Sequence, residues 1–448
     1  MPRFSPGRRS VQILLALLTA TVVALAAGVP VGVVGAVAAA ATVALVAALL
    51  WDVRRSRQIW TAGPVAMTRQ MPVSLAIGVT RTVTLAFDNG TAVPWTLQVH
   101  DGTDATLDTT GLPQTVVVPA GTRVEMSYDA TPRRRGTITC APADLLVRTQ
   151  WQLADLRLSL GQAEGRRVYP DFAQVSRFAW LAGRRRLQEL GIKTYQQRGE
   201  GTDFKQLGEY RVGDPIRHLD WRATWRLNKP IVRQFQDDRD QAVILLIDCG
   251  RRMRADDAAG GAHFDHVLNA VMLLSYVALG HGDAVGARTF GVPAGEERAF
   301  PPKKGKQVLH ALMSGLYDVQ PTLTQADYVA AAQQLLRDHP SRALVVLITN
   351  LRDEDSRECQ QALQLLRSRH LVLLASLRER VIGEVMQQPI DTADGAMAVA
   401  SAHLYEQARR DAFRRLSSRD GLMVDALPER LAVDLVNRYQ AAKASGAI

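Results

Sequence analysis

The feature that most limits how this chain can fold is an uncharged, apolar stretch from Ser10 to Trp51. A Gly/Pro turn at 28–32 divides it into two arms, which predicts helices at about 11–27 and 33–50. A helix needs about 20 apolar residues to cross a bilayer, and each arm approaches that length. We therefore predict that residues 1–60 form a transmembrane helical hairpin.

The charges beside this hairpin predict its orientation. Arginines flank both of its ends and are absent from its turn: Arg3, Arg8, Arg9, Arg54, Arg55 and Arg57. Because positively charged flanks stay in the cytoplasm, we expect a multi-pass protein of the cell membrane with the bulk of the chain cytoplasmic. A secretory signal peptide is the alternative, but a second apolar arm and a basic cluster follow it directly, and both oppose export.

Cysteine usage and net charge fit that location. The three cysteines, Cys140, Cys249 and Cys359, are far apart and show no metal-binding spacing, which disfavours disulfides and structural zinc. The formal net charge of +10 favours anionic surfaces, and the lipid headgroups beside the hairpin are one such surface.

Residues 61–170 alternate between apolar and polar positions with a period of two. The pattern is clear at Val83, Leu85 and Phe87, and turn signals such as Asp88-Asn89-Gly90 separate the runs. Short alternating strands with regular turns predict an antiparallel β-sandwich. Nothing in this segment indicates catalysis, so we expect a packing or partner-presenting module.

A different pattern occupies residues 237–448, after a basic connecting segment at 171–236. Apolar strands are predicted at 241–248, 284–290, 342–349, 370–377 and 422–425, and helices at 264–279, 307–316, 325–338, 355–369, 400–418 and 428–442. This alternation predicts an α/β domain with a doubly wound parallel sheet. Since such sheets bind ligands at the carboxyl ends of their strands, the loops after Asp248 and Thr349 are the first candidates for a site.

An unusual block at 208–226 carries a family resemblance. It contains Tyr210, Arg211, Gly213, Asp214, Arg217, Asp220, Trp221 and Arg226, ahead of a buried strand that ends at Asp248. The block resembles the hallmark of the bacterial domain of unknown function family 58, which is von Willebrand factor A-like, and the resemblance extends from about residue 132 to the C-terminus. Trp225 departs from the pattern, because the family usually has a small residue there.

The charges of this hallmark block allow two interpretations. Closely spaced Asp and Arg side chains are suited to bidentate pairing, which predicts a clasp that packs the connecting segment onto the A-like domain. The block is also a candidate surface for a protein partner. Alternating Trp and Arg at Trp221, Arg222, Trp225 and Arg226 raises nucleic-acid binding as well, but interleaved acids and nearness to the membrane argue against it.

Von Willebrand A domains often hold Mg²⁺ at an adhesion site that begins Asp-x-Ser-x-Ser. Here Asp248 is kept, but Gly250 and Arg252 replace the serines, and Thr349-Asn350 replaces a Thr-Asp pair. A fixed guanidinium opposes a cation, and Asp248 is expected to pair with Arg251 or Arg252. We predict a degenerate site without tight metal binding, although Asp353, Glu354 and Asp355 are possible substitute ligands.

Other chemical motifs are weak. His263 and His266 have helical spacing around Asp265 but lack a third metal ligand, and Cys249 lacks a base partner. No nucleophile elbow, Walker loop, zinc motif or dinucleotide fingerprint occurs. We expect neither enzymatic activity nor a cofactor.

The function predicted from these features is that of a membrane-anchored protein-interaction or scaffold protein. The resemblance adds a partner class, because similar proteins are commonly encoded beside MoxR-type AAA+ ATPases. Two alternatives stay open: a Mg²⁺-dependent ligand-binding A domain and an enzyme of unrecognised type. The sequence does not identify a small-molecule substrate.

Overall fold

In the computed structural model the chain divides into two compact units, Met1–Tyr169 and Pro170–Ile448. The structure describes residues 4–170, 203–210, 216–236, 241–257, 261–417 and 422–447. The prediction of a multidomain α/β chain with two apolar N-terminal helices is confirmed. The arginine-rich part of the predicted connecting segment, 171–202, lies outside the described residues.

Two helices form the apolar N-terminal stretch, α1 (Arg8–Ala26) and α2 (Val31–Ala62). By length and composition, both are candidate membrane spans. The turn between them contains Gly28 with a φ of +81°, a conformation that suits glycine because it has no Cβ.

The second helix is longer than the sequence predicts. Its predicted end at residue 50 is wrong, because α2 continues through the arginine cluster as far as Ala62. Val53 and Trp60 on this extension are buried in the core of the first unit, and Asp52 and Ser56 are buried beside them. The extension is therefore stabilised by packing against the strands that follow it.

Two β-sheets make up the rest of the first unit. A seven-stranded sheet contains β1 (Phe4–Pro6), β3 (Ser74–Ala76), β5 (Trp95–Gly102), β7 (Gln114–Val118), β9 (Gly136–Arg148), β10 (Ala154–Leu160) and β11 (Glu164–Tyr169). A four-stranded sheet contains β2 (Ala66–Gln70), β4 (Arg81–Asp88), β6 (Leu107–Thr110) and β8 (Arg123–Pro132). All pairings are antiparallel except the parallel pair β3–β11.

One hydrophobic core serves both of these sheets. Leu85 of β4, Leu97 of β5 and Leu145 of β9 are fully buried in the same cluster. Alternate residues of strands such as β5 and β8 are buried, which is the physical origin of the period-two pattern in the sequence.

The second unit is built on a six-stranded sheet with the order β18-β17-β14-β19-β20-β21. Its strands are β14 (Ala242–Asp248), β17 (Ala284–Phe290), β18 (Ala299–Lys303), β19 (Leu344–Thr349), β20 (Leu371–Leu377) and β21 (Leu422–Ala426). All neighbours are parallel except the edge strand β18. The interior strand β19 is buried at every residue, as expected for a strand that is covered on both faces.

Helices connect these strands. They are α4 (His263–Gly280), α5 (Gln307–Leu316), α6 (Tyr328–Asp338), α7 (Ser356–Arg367), α8 (Arg380–Val385), α9 (Ala393–Leu416) and α10 (Pro428–Ala444). Helices α6 and α7 pack on each other and share a core with apolar residues of β14 and β19. Helix α10 packs on α4.

Within the six-stranded sheet and its connecting helices, β18 and the short helix α8 were absent from the sequence prediction. Strand β18 contains Pro301 and Pro302, which ordinarily argue against a strand. An edge strand accepts proline because one side of it has no neighbour to receive an N–H bond. Helix α9 also begins earlier than predicted, since Thr392 caps it by accepting a bond from the Gly395 backbone N–H.

Ahead of the six-stranded sheet lies a small hairpin of β12 (Asp203–Glu209) and β13 (Ile231–Gln236), with the short helix α3 (Trp221–Leu227) between them in sequence. A two-residue pair of strands, β15 (Asp256–Asp257) and β16 (Gly261–Ala262), precedes α4.

Candidate functional site

The carboxyl ends of the central strands bring the predicted site residues together. Asp248 ends β14, and Thr349 ends the adjacent strand β19. Neighbouring parallel strands end at one edge of a sheet, and this edge is where α/β folds place their ligands. Asp248 and Thr349 are completely buried there.

Three hydrogen-bond donors surround the Asp248 carboxylate. The Thr349 hydroxyl donates to Oδ2 at 2.6 Å, the Gly250 backbone N–H to Oδ1 at 2.8 Å, and the Tyr328 hydroxyl to Oδ2 at 3.3 Å. Burial raises the pKa of Asp248 to about 6 although these bonds act in the opposite direction. Burial also raises the pKa of the Tyr328 phenol, so this phenol keeps its proton and acts as a donor at neutral pH.

Arg252 does not pair with Asp248, so that part of the sequence prediction is wrong. Its Nε donates to Asp355 at 2.8 Å, and a second nitrogen of the same guanidinium bonds to Glu354. The Asp248 oxygens are already occupied by neutral donors, which leaves the arginine to neutralise the acidic turn before α7. Asp353, at the start of that turn, pairs with Arg415.

Close packing explains why glycine occupies position 250, one of the predicted degenerate adhesion-site positions. A Cβ on Gly250 would lie 2.9 Å from the Thr324 carbonyl oxygen and 3.1 Å from the Ala326 nitrogen. The backbone of Gly250 also approaches Gly291, where a Cβ would lie 2.8 Å from the Gly250 nitrogen. A side chain with a metal-binding hydroxyl therefore does not fit without movement of the backbone.

Asn350 belongs to a second group of polar residues at the same edge. Its Nδ2 donates to Glu379 at 3.0 Å, and Arg352 donates to the same carboxylate oxygen at 2.7 Å. Burial works against the ionised form, but the Asn350 bond and the Arg352 charge lower the pKa of Glu379 below its ordinary value. Asn350 Nδ2 also lies 3.3 Å from the Arg252 carbonyl oxygen, so this side chain joins the loops that follow β14 and β20.

Acidic, histidine and cysteine side chains do not form a group of three that would hold a metal ion in the part of the chain the structure describes. His263 is buried at the first residue of α4, whereas His266 is partly buried. Cys249 is buried, with its sulfur 3.7 Å from the Ile247 carbonyl oxygen.

The hallmark block is described in part. Arg211, Gly213 and Asp214 lie outside the described residues, and the structure gives only the backbone of Arg217. The Tyr210 backbone N–H donates to the Pro230 carbonyl at 2.9 Å, which joins the two arms of the β12–β13 hairpin.

Asp220 is the organising residue of the described part of this block. Its carboxylate caps α3 by accepting a bond from the Ala223 backbone N–H at 2.9 Å and pairs with Arg233 of β13 at 2.8 Å. Its own backbone N–H donates to the Ile231 carbonyl, and the Thr224 hydroxyl accepts from the Ile231 N–H at 3.0 Å. These bonds hold α3 against β13.

Two tryptophans of α3 face away from these bonds. Trp221 is 64% exposed and Trp225 is 85% exposed, and Ile216 and Leu227 are exposed apolar residues of the same segment. Arg222 and Arg226, which alternate with the tryptophans, are exposed as well. Trp225 is the residue that departs from the family pattern.

Sequence reasoning missed Tyr328 and Glu379, although both contact predicted site residues. Tyr328 opens α6 and reaches the site across 80 positions of sequence, and Glu379 follows β20. A signal for Glu379 was available, because it lies just beyond a predicted strand end. Tyr328 gives no local signal in the sequence, because an aromatic residue at a helix start is usually a residue of the hydrophobic core.

The two units define a multidomain α/β protein with two candidate membrane spans and a buried carboxylate at the edge of a mainly parallel sheet. Within it, residues 206–420 match the family described as protein of unknown function DUF58. The resemblance of the hallmark block is thereby confirmed, over a shorter span than the sequence suggested.

Curated relatives are similar at a low level. An uncharacterized protein of Mycobacterium tuberculosis (strain H37Rv) is 23% identical over 228 residues, which cover 49% of this chain and 69% of the relative. An uncharacterized protein of Mycobacterium bovis gives the same values.

Solved structures give weaker similarity. Proximal thread matrix protein 1 from the mussel byssus has a TM-score of 0.30 at 14% identity, covering 45% of this chain and 48% of that one. A FixG-related protein from Vibrio parahaemolyticus has a TM-score of 0.19 at 12% identity, covering 23% of this chain and 96% of that one. At these TM-scores neither structure informs the fold of this chain.

Proposed function

We propose that this chain is a non-enzymatic, membrane-anchored protein-interaction or scaffold protein. In this proposal, α1 and α2 cross the membrane as a hairpin and leave both of its ends, and the bulk of the chain, in the cytoplasm. Strand β1, which precedes α1, pairs with β10 of the unit into which α2 continues. A strand on one side of a membrane cannot pair with a sheet on the other, so this pairing supports two passes.

The proposal includes two finer assignments of fold. The first unit is assigned as a β-sandwich, supported by its two sheets around a single core. The second is assigned as von Willebrand A-like, supported by a mainly parallel sheet with one antiparallel edge strand and by Asp248 at the end of β14.

A degenerate metal site is part of the same proposal. The oxygens of the Asp248 carboxylate accept hydrogen bonds from Gly250, Thr349 and Tyr328. A serine side chain at position 250 would collide with the backbone. A Mg²⁺-dependent ligand-binding domain, the main alternative, would require a cation to replace these bonds without the usual hydroxyl ligands. Neither this arrangement nor any described side-chain group favours the second alternative, an enzyme of unrecognised type.

The observation that carries the proposal is a set of four exposed apolar side chains within residues 216–227, here called the tryptophan surface: Ile216, Trp221, Trp225 and Leu227. Single exposed apolar residues are ordinary, but a cluster with two tryptophans four positions apart on one helix is typical of a binding site. Tryptophan and arginine are also the residues that contribute most to protein interfaces. The hydrogen bonds of Asp220 fix α3. Binding of a partner to this surface therefore costs little conformational entropy of α3.

The partner class in this proposal is a MoxR-type AAA+ ATPase. Its support is the family resemblance of the hallmark block, in which Ile216, Trp221 and Trp225 lie, although Trp225 itself departs from the family pattern. The alternating arginines Arg222 and Arg226 favour a partner surface that combines apolar pockets with acidic side chains.

A binding assay with the full-length protein tests this function. Purified protein in detergent is immobilised and exposed to the purified MoxR-type ATPase encoded nearest to its gene. The double variant Trp221→Ala/Trp225→Ala is expected to weaken binding at least tenfold, because each hot-spot tryptophan contributes about 2 kcal/mol. The control is Met397→Ala/Leu404→Ala, which removes two exposed apolar side chains of α9 and leaves binding unchanged.

Two outcomes contradict the proposal. One is no binding and no change in ATPase rate with the unaltered protein at micromolar concentration. The other is equal loss of binding in the α3 and α9 variants, which would indicate nonspecific hydrophobic contact. Circular dichroism of both variants checks that their folds are intact.

A further inference from the structure

The loop between β9 and β10, residues 149–153, binds the point at which α2 leaves its apolar stretch. The Asp52 carboxylate accepts hydrogen bonds from the backbone N–H groups of Trp151 at 3.1 Å and Leu153 at 3.4 Å. The Ser56 hydroxyl accepts from the Gln150 N–H at 3.1 Å. Asp52 and Ser56 are buried, so this loop is fixed to the helix one turn beyond its apolar part.

The same loop also binds the start of α1. The Gly7 backbone N–H donates to the Leu153 carbonyl at 2.8 Å, immediately before the helix begins at Arg8. A Cβ at Gly7 would lie 2.7 Å from the Gln152 carbonyl oxygen, so only glycine permits this approach. One β-loop therefore touches the cytoplasmic ends of both membrane helices, which places it at the depth of the membrane surface when the hairpin is inserted.

Aromatic rings gather around this loop and are half exposed. The rings of Trp51 and Trp151 have centroids 4.5 Å apart, and their residues are 45% and 46% exposed. The Arg55 guanidinium lies 5.0 Å from the Trp51 ring centroid. Phe4 of β1 is 48% exposed, and the Arg57 guanidinium lies 6.0 Å from its ring centroid. Tryptophan with a polar edge and an apolar ring is the residue type that prefers the headgroup layer.

The charge of this region is strongly positive. Arg8, Arg9, Arg54 and Arg55 are exposed, and residues 149–153 carry no charge. The single acidic residue between positions 4 and 62 is Asp52, which is buried and occupied by the loop. The exposed arginines therefore have no acidic neighbour in their own segments to compete with an external anion.

We infer that Trp51, Trp151, Arg54 and Arg55 form a binding surface for the headgroups of anionic phospholipids, here called the headgroup surface. The phosphate oxygens bind the two arginines, and the tryptophans lie among the headgroups. Trp151 takes part because Asp52 holds its backbone, so the β-unit itself contacts the lipid. This inference rests on the proposed insertion of α1 and α2 but not on the tryptophan surface or its partner.

Lipid retention by the full-length protein tests the charged half of this surface. The protein is reconstituted in nanodiscs of phosphatidylcholine with phosphatidylglycerol, released in mild detergent, and its retained lipids are counted by native mass spectrometry. Arg54→Gln/Arg55→Gln is expected to lower phosphatidylglycerol retention about tenfold or more, since each basic residue at a membrane surface contributes roughly fivefold. The control, Arg133→Gln/Arg134→Gln, removes two adjacent exposed arginines at the opposite end of β9 and changes nothing.

Quenching by brominated phosphatidylcholine tests the position of the loop. Trp151→Phe is expected to lower the quenched fraction of tryptophan fluorescence, because it removes a ring in contact with lipid. Trp95→Phe removes a ring buried in the core and is expected to raise that fraction. These opposite signs separate lipid contact from a general loss of fluorescence.

Equal retention in both arginine variants, or a quenched fraction that does not fall in Trp151→Phe, overturns the headgroup surface. Carbonate extraction of the same membranes separates that result from failure of the anchor. Protein that stays in the carbonate pellet but shows neither lipid effect is inserted and lacks the surface, whereas protein released by carbonate contradicts the proposed insertion itself. Inorganic phosphate added to the nanodiscs is expected to leave retention unchanged.

Discussion

Replacing Asp248 with asparagine tests how the burial of its carboxylate makes the unfolding free energy depend on pH. Its pKa is about 6 in the folded chain against 3.8 in the reference state. A raised acid pKa means that the folded state is favoured while the group is protonated and loses that stability as pH rises through about 6. The difference of about 2 units corresponds to about 3 kcal/mol of unfolding free energy, lost between about pH 4 and pH 6.

Asparagine does not titrate and keeps the shape of the side chain. Its Oδ1 can accept from the Gly250 N–H, and its Nδ2 can donate to the Thr349 hydroxyl. The Tyr328 hydroxyl loses its acceptor at this position, a cost that does not change with pH. We compare the unfolding free energy of Asp248→Asn with that of the unaltered protein at each pH. We expect this difference, variant minus unaltered, to be about 3 kcal/mol larger at pH 7 than at about pH 4.

Pulse proteolysis in urea at several pH values measures this difference in the full-length protein. Peptides from residues 241–417 report the second unit separately from the first. Asp394→Asn, which neutralises an exposed carboxylate of α9, is the control and should differ from the unaltered protein by a constant amount. A difference for Asp248→Asn that is constant with pH, or that favours the unaltered protein more as pH rises, would refute the reasoning.

Three further predictions concern metal binding, the Arg252 ion pair and the glycine at the start of α1. Calorimetry with Mg²⁺ and Mn²⁺ is expected to detect no micromolar binding, and micromolar binding that is lost in Asp248→Ala would contradict the degenerate site. Arg252→Met leaves the buried Asp355 carboxylate unpaired and is expected to cost about 3 kcal/mol of unfolding free energy. Adding Asp355→Asn should restore most of that loss in urea unfolding, and an unrepaired double variant would assign the loss to packing. Gly7→Ala is expected to destabilise the first unit by about 1–3 kcal/mol through its contact with the Gln152 carbonyl; unchanged urea unfolding would count against that contact.

The part of the candidate site that could be predicted depends on local sequence patterns, such as runs of apolar residues and helix-capping positions. Asp248 and Thr349 each follow a run of buried apolar residues, and parallel strand ends meet at one edge, so their proximity follows from the alternation of strands and helices. Asp220 is similar, because a short acidic residue before a helix is a usual cap. These inferences need only the neighbouring residues.

The partners of these residues could not be predicted in the same way. Tyr328 reaches Asp248 because α6 packs beside β14 and β19, which depends on the whole arrangement of the unit. Charge alone suggested an Asp248–Arg252 pair, but three neutral donors satisfy the carboxylate and leave Arg252 for Asp355. The end of α2 was misplaced for a related reason, since its arginines end the apolar stretch but not the helix, which continues to Ala62.

The pairing of β1 with β10 has a consequence for how the chain is assembled and removed. Phe4 pairs with Leu156, so β1 has no partner until the ribosome has added roughly 150 further residues. In the proposed arrangement, the hairpin enters the bilayer while the segment before α1 is still unpaired, and β1 pairs with β10 only later. Once β1 and β10 are paired, the chain from β1 through α1 and α2 to β10 forms a closed loop. If α1 is inserted as proposed, a protease or translocating ATPase that pulls on the chain ahead of β1 must separate β1 from β10 before it can draw α1 out of the membrane.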